Sequence, residues 1–200
     1  MAKKQKKKKG RPAQPAAPRV KDFLDMIAPT AVKFNTDSYV LGSSFRCTLA
    51  LRSYPATTEE LALLCYLGEK SGVALHIYIR QAAAGEEDAI IHNAQNKNRM
   101  DRGNTNNMRR SVTAEANLQD VESLITTMRR NKEPLLHCAV FIELCAREAD
   151  GLRALRDEVT AALTRSKLGA DRLFLVQRNG FLASNPAGSN IFASQFERVL

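Results

Sequence analysis

The sequence lacks several features that would assign it to a chemical class. It contains no tryptophan and only four tyrosines, so aliphatic side chains must supply most of a hydrophobic core. Its four cysteines include no Cys-x-x-Cys pair, which is typical of reduced, buried thiols rather than of a disulfide framework or a zinc site. These cysteines are Cys47, Cys65, Cys138 and Cys145. The longest largely apolar run, residues 135–146, is too short and too polar to span a bilayer.

Recognisable catalytic motifs are also missing. There is no Gly-x-x-x-x-Gly-Lys phosphate loop, no Gly-x-Gly-x-x-Gly after a strand, no zinc-protease motif and no nucleophile elbow. His76 and His137 fall on predicted strands, where a packed or surface imidazole is commoner than a metal ligand. His137 and Cys138 are adjacent and so point to opposite faces. The acidic pair Glu86–Glu87 lies at a helix start, where capping and the helix dipole explain it. We therefore predict no catalytic, cofactor-binding or metal-ligating residue, and no enzyme.

The positive charge is concentrated at the N-terminus. The formal net charge is +9, but eight of the 30 basic side chains lie in residues 1–19, which contain no acid. The remaining chain has 22 basic against 21 acidic side chains, a charge of +1. Any attraction to polyanions is therefore predicted to belong to a disordered tail, residues 1–19, and not to the folded part. The candidate polyanion-binding residues are Lys3, Lys4, Lys6, Lys7, Lys8, Lys9 and Arg11.

The tail admits several interpretations. Residues 9–12, Lys-Gly-Arg-Pro, resemble the core of hooks that insert arginine into the DNA minor groove. The match is short and has no second copy, so a solvated tail with nonspecific affinity for anions is favoured. Anionic lipid headgroups would attract the same charges. No hydrophobic stretch follows the basic region, which argues against a secretory signal and favours a soluble, intracellular protein.

The first half of the remaining chain predicts alternating elements. Residues 20–28 form a short amphipathic helix candidate, and residues 31–34 and 38–41 flank a turn-prone triplet, which predicts a hairpin. Residues 45–52 alternate apolar and polar side chains as a strand does. A capping box at Thr57 and Glu60 begins a helix that ends near Lys70, and alternation over residues 73–80 predicts a second strand.

The second half repeats this outline after a polar middle section. Residues 82–134 hold two helix candidates, interpreted either as an exposed helix and loop or as an inserted arm or interface, the former being favoured. Residues 135–146 are apolar on both sides, which predicts a central strand. A helix follows and is predicted to end at Gly169. A fourth strand is predicted over residues 173–176, before an Asn179–Gly180 turn.

Together these elements predict one α+β domain over residues 20–200. Two successive βαβ units covered by helices on one face favour a ferredoxin-like split βαβ sandwich. An N-terminal hairpin precedes it, and a helical insertion separates the two βαβ halves.

Six stretches of the chain carry a resemblance to a known family. Residues 22–200 resemble the N-terminal domain of the conjugative-transfer ATPase of type IV secretion systems, in the form found in Gram-positive conjugative elements. The similarity covers about nine-tenths of the chain and contains no catalytic motif. The stretches are DFLDMIAPTAVKFNTDSYVLG, FRCTLALRSYPATTEELALLCYLGEKSGV, AIIHNAQNKNRMDRGNTN, SVTAEANLQDVESLI, EPLLHCAVFIEL and GFLASNPAGSNIFASQFERVL.

The resemblance implies a docking and assembly role. In that family, a domain of this type precedes a RecA-like motor domain and docks it onto inner-membrane components of the channel. The present chain stops before any nucleotide-binding motif, so no catalytic residue of the family can be placed on it. We expect a fragment or truncated product without ATPase activity, located in the cytoplasm at the inner face of the membrane and compatible with oligomers. The alternative is a stand-alone module that binds nucleic acid or anionic membranes through its tail.

Overall fold

The structure is a computed structural model that describes residues 31–55, 62–103, 108–131, 134–185, 188–192 and 195–199. The predicted tail of residues 1–19, with its candidate polyanion-binding lysines, lies outside the described residues. So do the helix predicted over residues 20–28 and the capping box at Thr57 and Glu60.

The described residues form a mixed α/β fold with a seven-stranded antiparallel sheet and five helices. The strands are β1 (Val32–Phe34), β2 (Tyr39–Leu41), β3 (Ser44–Ser53), β4 (Val73–Gln81), β5 (Leu136–Ala146), β6 (Gly169–Arg172) and β7 (Arg198–Val199). The helices are α1 (Ala62–Glu69), α2 (Ala84–Arg102), α3 (Met108–Asn131), α4 (Ala149–Arg165) and α5 (Gln177–Ala183).

The sheet has the strand order β1-β2-β3-β5-β4, and every pairing in it is antiparallel. Strand β2 pairs with the first part of β3, and β6 pairs with the last part on the same side. Strand β7 pairs with β5 at His137 and Cys138. The two longest strands, β3 and β5, are therefore central, as the two-sided apolar pattern of β5 predicted.

One face of the sheet is covered by helices α1 and α4. Alternate residues of β3 and β5 point to this face and meet in register, with Cys47 opposite Leu144 and Leu49 opposite Ile142. Leu67 of α1 and Val159 of α4 are buried against them. Burying an aliphatic side chain of this size stabilises a fold by about 1.5–3 kcal/mol, so this aliphatic layer is the main core of a chain without tryptophan.

The opposite face carries an aromatic cluster. Phe141 of β5 is fully buried, and its ring contacts those of Tyr78, Phe192 and Phe196 with centroids 5.5–6.1 Å apart. The Tyr78 hydroxyl donates a hydrogen bond to the carbonyl oxygen of Ala183 at 2.6 Å. This bond ties the C-terminal end of α5 to the sheet.

Helix α5 lies very close to β3, and Gly180 allows that approach. A Cβ atom at Gly180 would lie 2.9 Å from the Thr48 side chain. On the same face of α5, the Gln177 amide reaches the backbone of Thr48, and the Ser184 hydroxyl lies 3.3 Å from that of Thr48. The predicted Asn179–Gly180 turn was therefore wrong, because this glycine permits helix–sheet contact instead of a turn.

Two further predictions at this end of the chain were wrong. The fourth strand is Gly169–Arg172, before the predicted segment, and residues 174–175 form a turn. Leu175 adopts a left-handed conformation with φ of 64°, which no strand permits. Gly169 begins β6 and does not end α4, because Lys167 takes the left-handed position after that helix with φ of 57°. The apolar run at residues 173–176 has the composition of a strand, whereas the observed strand, β6, is short and polar.

The N-terminal hairpin and the middle helices were predicted correctly. Strands β1 and β2 pair antiparallel, with Lys33 opposite Val40, and Phe34 packs against Tyr39 and Phe181. Between β4 and β5, the chain forms the long helices α2 and α3, which pack against each other. We call this helical pair the arm.

Candidate interaction site: the arm and its ionic root

Four segments of the chain meet where the arm joins the sheet. Arg80 of β4 and His137 of β5 are opposite each other in the strand register. Glu86 lies in the first turn of α2, and Glu197 immediately precedes β7, which pairs with β5 at His137. We call these four residues the root cluster.

The Arg80 guanidinium lies between the two carboxylates. Its Nη1 and Nη2 donate hydrogen bonds to the two oxygens of Glu86 at 2.9 and 3.0 Å. Its Nε and Nη2 donate to Oε2 of Glu197 at 3.2 and 3.0 Å. The planar, multidentate geometry of arginine suits this double role, which one lysine ammonium would fill less well.

His137 is the fourth member of the cluster, and its imidazole lies close to both carboxylates. Its side chain is buried, with Nε2 3.0 Å from Oε1 of Glu86 and Nδ1 3.9 Å from Oε2 of Glu197. Asn190 adds a hydrogen bond from Nδ2 to Oε1 of Glu197 at 3.3 Å. The cluster thus links α2, the two strands and the C-terminal segment.

Hydrogen bonds from Arg80 lower the pKa of Glu86 to about 2, with smaller help from the backbone N–H of Ala83. The same hydrogen bonds, from Glu86 and then from Glu197, raise the pKa of Arg80 above its usual value. Both carboxylate and guanidinium are therefore charged at neutral pH. Because the Arg80 side chain is 46% exposed, solvent screens the pair, and its main effect is to fix geometry.

The backbone at the root is fixed as well. Oε1 of Glu87 accepts a hydrogen bond from the backbone N–H of Leu135 at 2.9 Å. The backbone N–H of Ala82 donates to the carbonyl oxygen of Leu135 at 2.9 Å. The chain therefore leaves the sheet into the arm and returns to it at one point, and the acidic first turn of α2 holds both ends.

The arm itself buries almost nothing. Ala114 is the single buried side chain among those described in α2 and α3. The 24-residue helix α3 is about 36 Å long at 1.5 Å per residue. Near the far end, the Ser111 hydroxyl donates to the Arg102 carbonyl at 3.0 Å and joins the two helices. This long helical pair therefore covers almost none of the core, and its contacts with the sheet are concentrated at the root.

The far end of the arm, which we call the tip, combines exposed apolar side chains with positive charge. Met100, Met108 and Val112 are 78%, 81% and 64% exposed. In the sequence, residues 97–112 contain five basic side chains and one acidic one. Flexible methionine side chains adapt to varied partner surfaces, so these side chains make the tip a candidate contact surface.

No protein-family model matches this chain, and no curated protein matches it.

A second polar cluster lies on the same face of the sheet, around Glu143 of β5. Its Oε1 accepts hydrogen bonds from the Tyr39 hydroxyl at 2.6 Å and from Arg46 Nη1 at 3.0 Å. His76 Nε2 lies 3.8 Å from Oε2. Burial alone would raise the pKa of Glu143, but the contacts with His76, Tyr39 and Arg46 outweigh it and lower the pKa. Burial chiefly raises the pKa of Tyr39.

Both clusters match structural roles. Glu86 and Glu143 face cations or hydroxyls that lower the pKa of each carboxyl, and the described residues contain no group of three or more His, Cys, Asp or Glu side chains placed to hold a metal ion. Cys138 lies in the helix-side core and His137 on the other face, as their adjacency predicted. Within the described part of the chain, no helix is long and apolar enough to cross a membrane.

An open cleft of about 380 Å³ lies where β6 ends and the C-terminal segment passes. Phe174, Val176, Ile191 and Phe192 contribute apolar lining, with Arg172 at its edge. Phe174 and the neighbouring Leu175 are 62% and 77% exposed. Polar side chains also line this cleft, and none of its lining residues belongs to the arm.

Sequence reasoning missed the root cluster. Glu86 and Glu87 were assigned to helix capping, and His137 to strand packing. Their convergence depends on the β4–β5 register, which pairs residues 57 positions apart. One feature of the sequence could have indicated polar clusters on the sheet. Each strand that carries a histidine also carries a charged side chain, Arg80 on β4 and Glu143 on β5.

Proposed function

We propose that this chain is a noncatalytic docking and assembly domain of a conjugative-transfer ATPase of type IV secretion systems, and that the arm makes the docking contact. The observation that carries this proposal is the rooted arm. Its two helices bury a single described side chain, yet the root cluster holds their base in place. Such a construction presents a surface at a fixed position, which is what an assembly contact needs.

The fold that we propose for the body is the ferredoxin-like split βαβ sandwich. Strands β3 and β4 run parallel, because both are antiparallel to β5 between them, and α1 connects them. Strands β5 and β6 are related in the same way across β3, through α4. The four strands thus follow the order β6-β3-β5-β4, and the arm is inserted between the two halves. This arrangement supports the proposal.

The partners that we propose are inner-membrane components of the secretion channel and a RecA-like motor domain. The near-neutral body, with 22 basic and 21 acidic side chains after residue 19, suits protein contacts better than contacts with nucleic acid. The location that follows from these partners is the cytoplasmic face of the inner membrane, in peripheral association.

Removal of the arm tests this proposal directly. Since Ala82 directly follows β4, Leu135 directly precedes β5 and the two are hydrogen-bonded, residues 83–134 can be replaced by an Asn-Gly hairpin turn. We expect this variant to keep the far-UV circular dichroism of the sheet and to lose binding to the channel component in biolayer interferometry. Unchanged binding would contradict the role of the arm.

A second variant tests the tip alone. Replacing Met100, Met108 and Val112 by serine removes the apolar side chains and keeps the charge. We expect binding to weaken by about tenfold or more, because apolar anchors dominate protein interfaces. Leu182→Ser is the matched control, since Leu182 is 42% exposed on α5 and belongs to another surface. Equal losses in both variants would refute a specific role for the tip.

The noncatalytic assignment has its own test. Titration of the 200-residue chain with ATP is expected to give no saturable binding and no phosphate release. Clear hydrolysis that survives repurification would contradict the assignment.

The lysine-rich tail supports a second candidate function, binding of nucleic acid or anionic membranes. Neutralising six to eight phosphates would give a log–log salt slope of about −5 to −7 on duplex DNA. A variant without residues 1–19 is expected to lose that binding and to keep its fold. Flotation with vesicles of anionic and of neutral lipid separates membrane binding from DNA binding.

A further inference from the structure

Strand β4 forms an open edge of the sheet. All nine of its residues, Val73–Gln81, pair with β5 in an unbroken register. Among the described residues, no strand pairs with its other side. Half of its backbone N–H and C=O groups therefore point outward as a regular row of donors and acceptors.

Apart from the charged side chain of Arg80, this edge has none of the usual protection against further pairing. Proteins protect edge strands with proline, lysine, bulges or short length, and β4 contains no proline, glycine, lysine or register shift. On the other side of the sheet, β6 has four residues, ends in Asp171 and Arg172, and pairs with β3 through a register shift. The β6 edge is thus better protected than the β4 edge.

The open edge also presents apolar side chains. Val73 and Leu75 point toward the helix-covered face and belong to its core or pack against it. The same alternation places Ile77 and Ile79 on that face, where they are 49% and 63% exposed. A regular edge with an exposed apolar row is the kind of surface that a further strand covers.

We propose that the β4 edge pairs with β4 of a second copy of this chain, so that one continuous sheet runs through a two-fold dimer. Centring the antiparallel pair on Ile77 uses all nine residues. It sets Leu75 opposite Ile79 on the apolar face, with Ile77 opposite its own copy. On the other face it sets His76 opposite Tyr78.

The charges agree with this self-pairing. In the same register, Arg80, the one residue of β4 that is charged at every pH near neutrality, faces Ala74, so no like charges oppose each other. A slip by one residue would set isoleucine against histidine and mix the two faces. A slip by two residues would shorten the ladder. Isologous contacts need a self-complementary surface, and β4 has one in its longest register.

The inference stands apart from the proposed role of the arm, and sedimentation equilibrium of the full chain tests it. We expect a dimer whose dissociation constant rises by about tenfold or more in Ile77→Lys, which sets two lysines opposite each other at the axis. Leu124→Lys, at a 44% exposed position of α3 outside the tip, is the matched control and should leave the dimer unchanged. Far-UV circular dichroism checks the fold of each variant.

Cross-linking provides a second measurement if Ile77→Lys does not fold. Directly opposed residues on antiparallel strands have Cα atoms about 4.5–5.5 Å apart, within the range of a disulfide. In a Cys65→Ser background, Ile77→Cys is expected to give a covalent dimer under mild oxidation, and Leu124→Cys is not. A monomeric wild-type chain would overturn the proposal, as would a dimer that neither cross-links at residue 77 nor responds to Ile77→Lys. Pairing of the edge with an added strand peptide by a chain that stays monomeric would also overturn it.

Discussion

Gln177 closes a gap in the sheet, and its replacement tests how the second face is held together. The pairing of β2 with β3 ends at Arg46, and the pairing of β6 with β3 begins at Leu49. Between them, the backbone of Thr48 has no strand partner on that side. The Gln177 Oε1 accepts from the Thr48 N–H at 3.0 Å, and Nε2 donates to its carbonyl at 3.2 Å.

We expect Gln177→Leu to lower the free energy of unfolding by about 2–4 kcal/mol. The side chain is 1% exposed and Thr48 is fully buried, so water cannot replace the two lost hydrogen bonds. Each buried backbone group left without a partner costs about 1–3 kcal/mol. Leucine has a similar volume, which keeps the contribution of a cavity small. Urea unfolding followed by far-UV circular dichroism measures the difference.

Two controls separate the backbone bonds from other effects. Thr48→Val removes the hydroxyl contact with Ser184 and keeps the backbone bonds, so it is expected to cost about 1 kcal/mol. Gln119→Leu makes the same change at an exposed site of α3 and should stay within about 0.5 kcal/mol of wild type. A Gln177→Leu variant as stable as the Gln119→Leu variant would refute the reasoning.

Three further predictions concern the root, a turn and the Glu143 cluster. Because the folded pKa of Glu86 is about 2, its contribution to stability is present above its ordinary pKa of 4.5 and is lost as the pH falls toward 2. Thermal melts of wild type and Glu86→Gln should therefore differ at pH 6 and converge near pH 2. Gly72→Ala should cost more than about 1 kcal/mol in urea unfolding, since φ is +80° and the new Cβ would lie 2.5 Å from a carbonyl oxygen. Gly85→Ala, with nothing within 4 Å, should not destabilise. Tyr39→Phe removes a hydrogen bond to the charged Glu143 and should cost about 1.5–3 kcal/mol by the same assay.

The sequence predicted the elements whose pattern is local. Strands β3 and β5 follow from alternation and from a two-sided apolar run, and the arm follows from its two helical segments. The apolar run at residues 173–176 misled the prediction because a short apolar run is read as a strand whether or not its side chains are buried. In the structure Leu173 is buried, whereas Phe174 and Leu175 are exposed. Gly180 was placed in a turn since nothing local shows that a helix approaches Thr48.

The site depends on contacts that no local pattern reveals. An acidic residue such as Glu86 is expected at a helix N-terminus, so no local pattern gave a reason to predict its pairing with Arg80 and His137. The β4–β5 register brings Arg80 and His137 together, although the whole arm separates them in the sequence. The lysine-rich tail and its partners remain predictions, because the tail lies outside the described residues.

The pairing of β3 with β5 has a consequence for biosynthesis. The two strands join residues about 100 positions apart, such as Cys47 and Leu144, and β4 also depends on β5 as its partner. On the ribosome, β3 and β4 therefore cannot form their main hydrogen-bonded ladders until β5 has emerged. The helices that precede β5 can already form during that time. During that interval the apolar strands are exposed to chaperones and to aggregation, and synonymous codon changes that slow emergence of β5 should lower the yield of protein without altering the mature molecule.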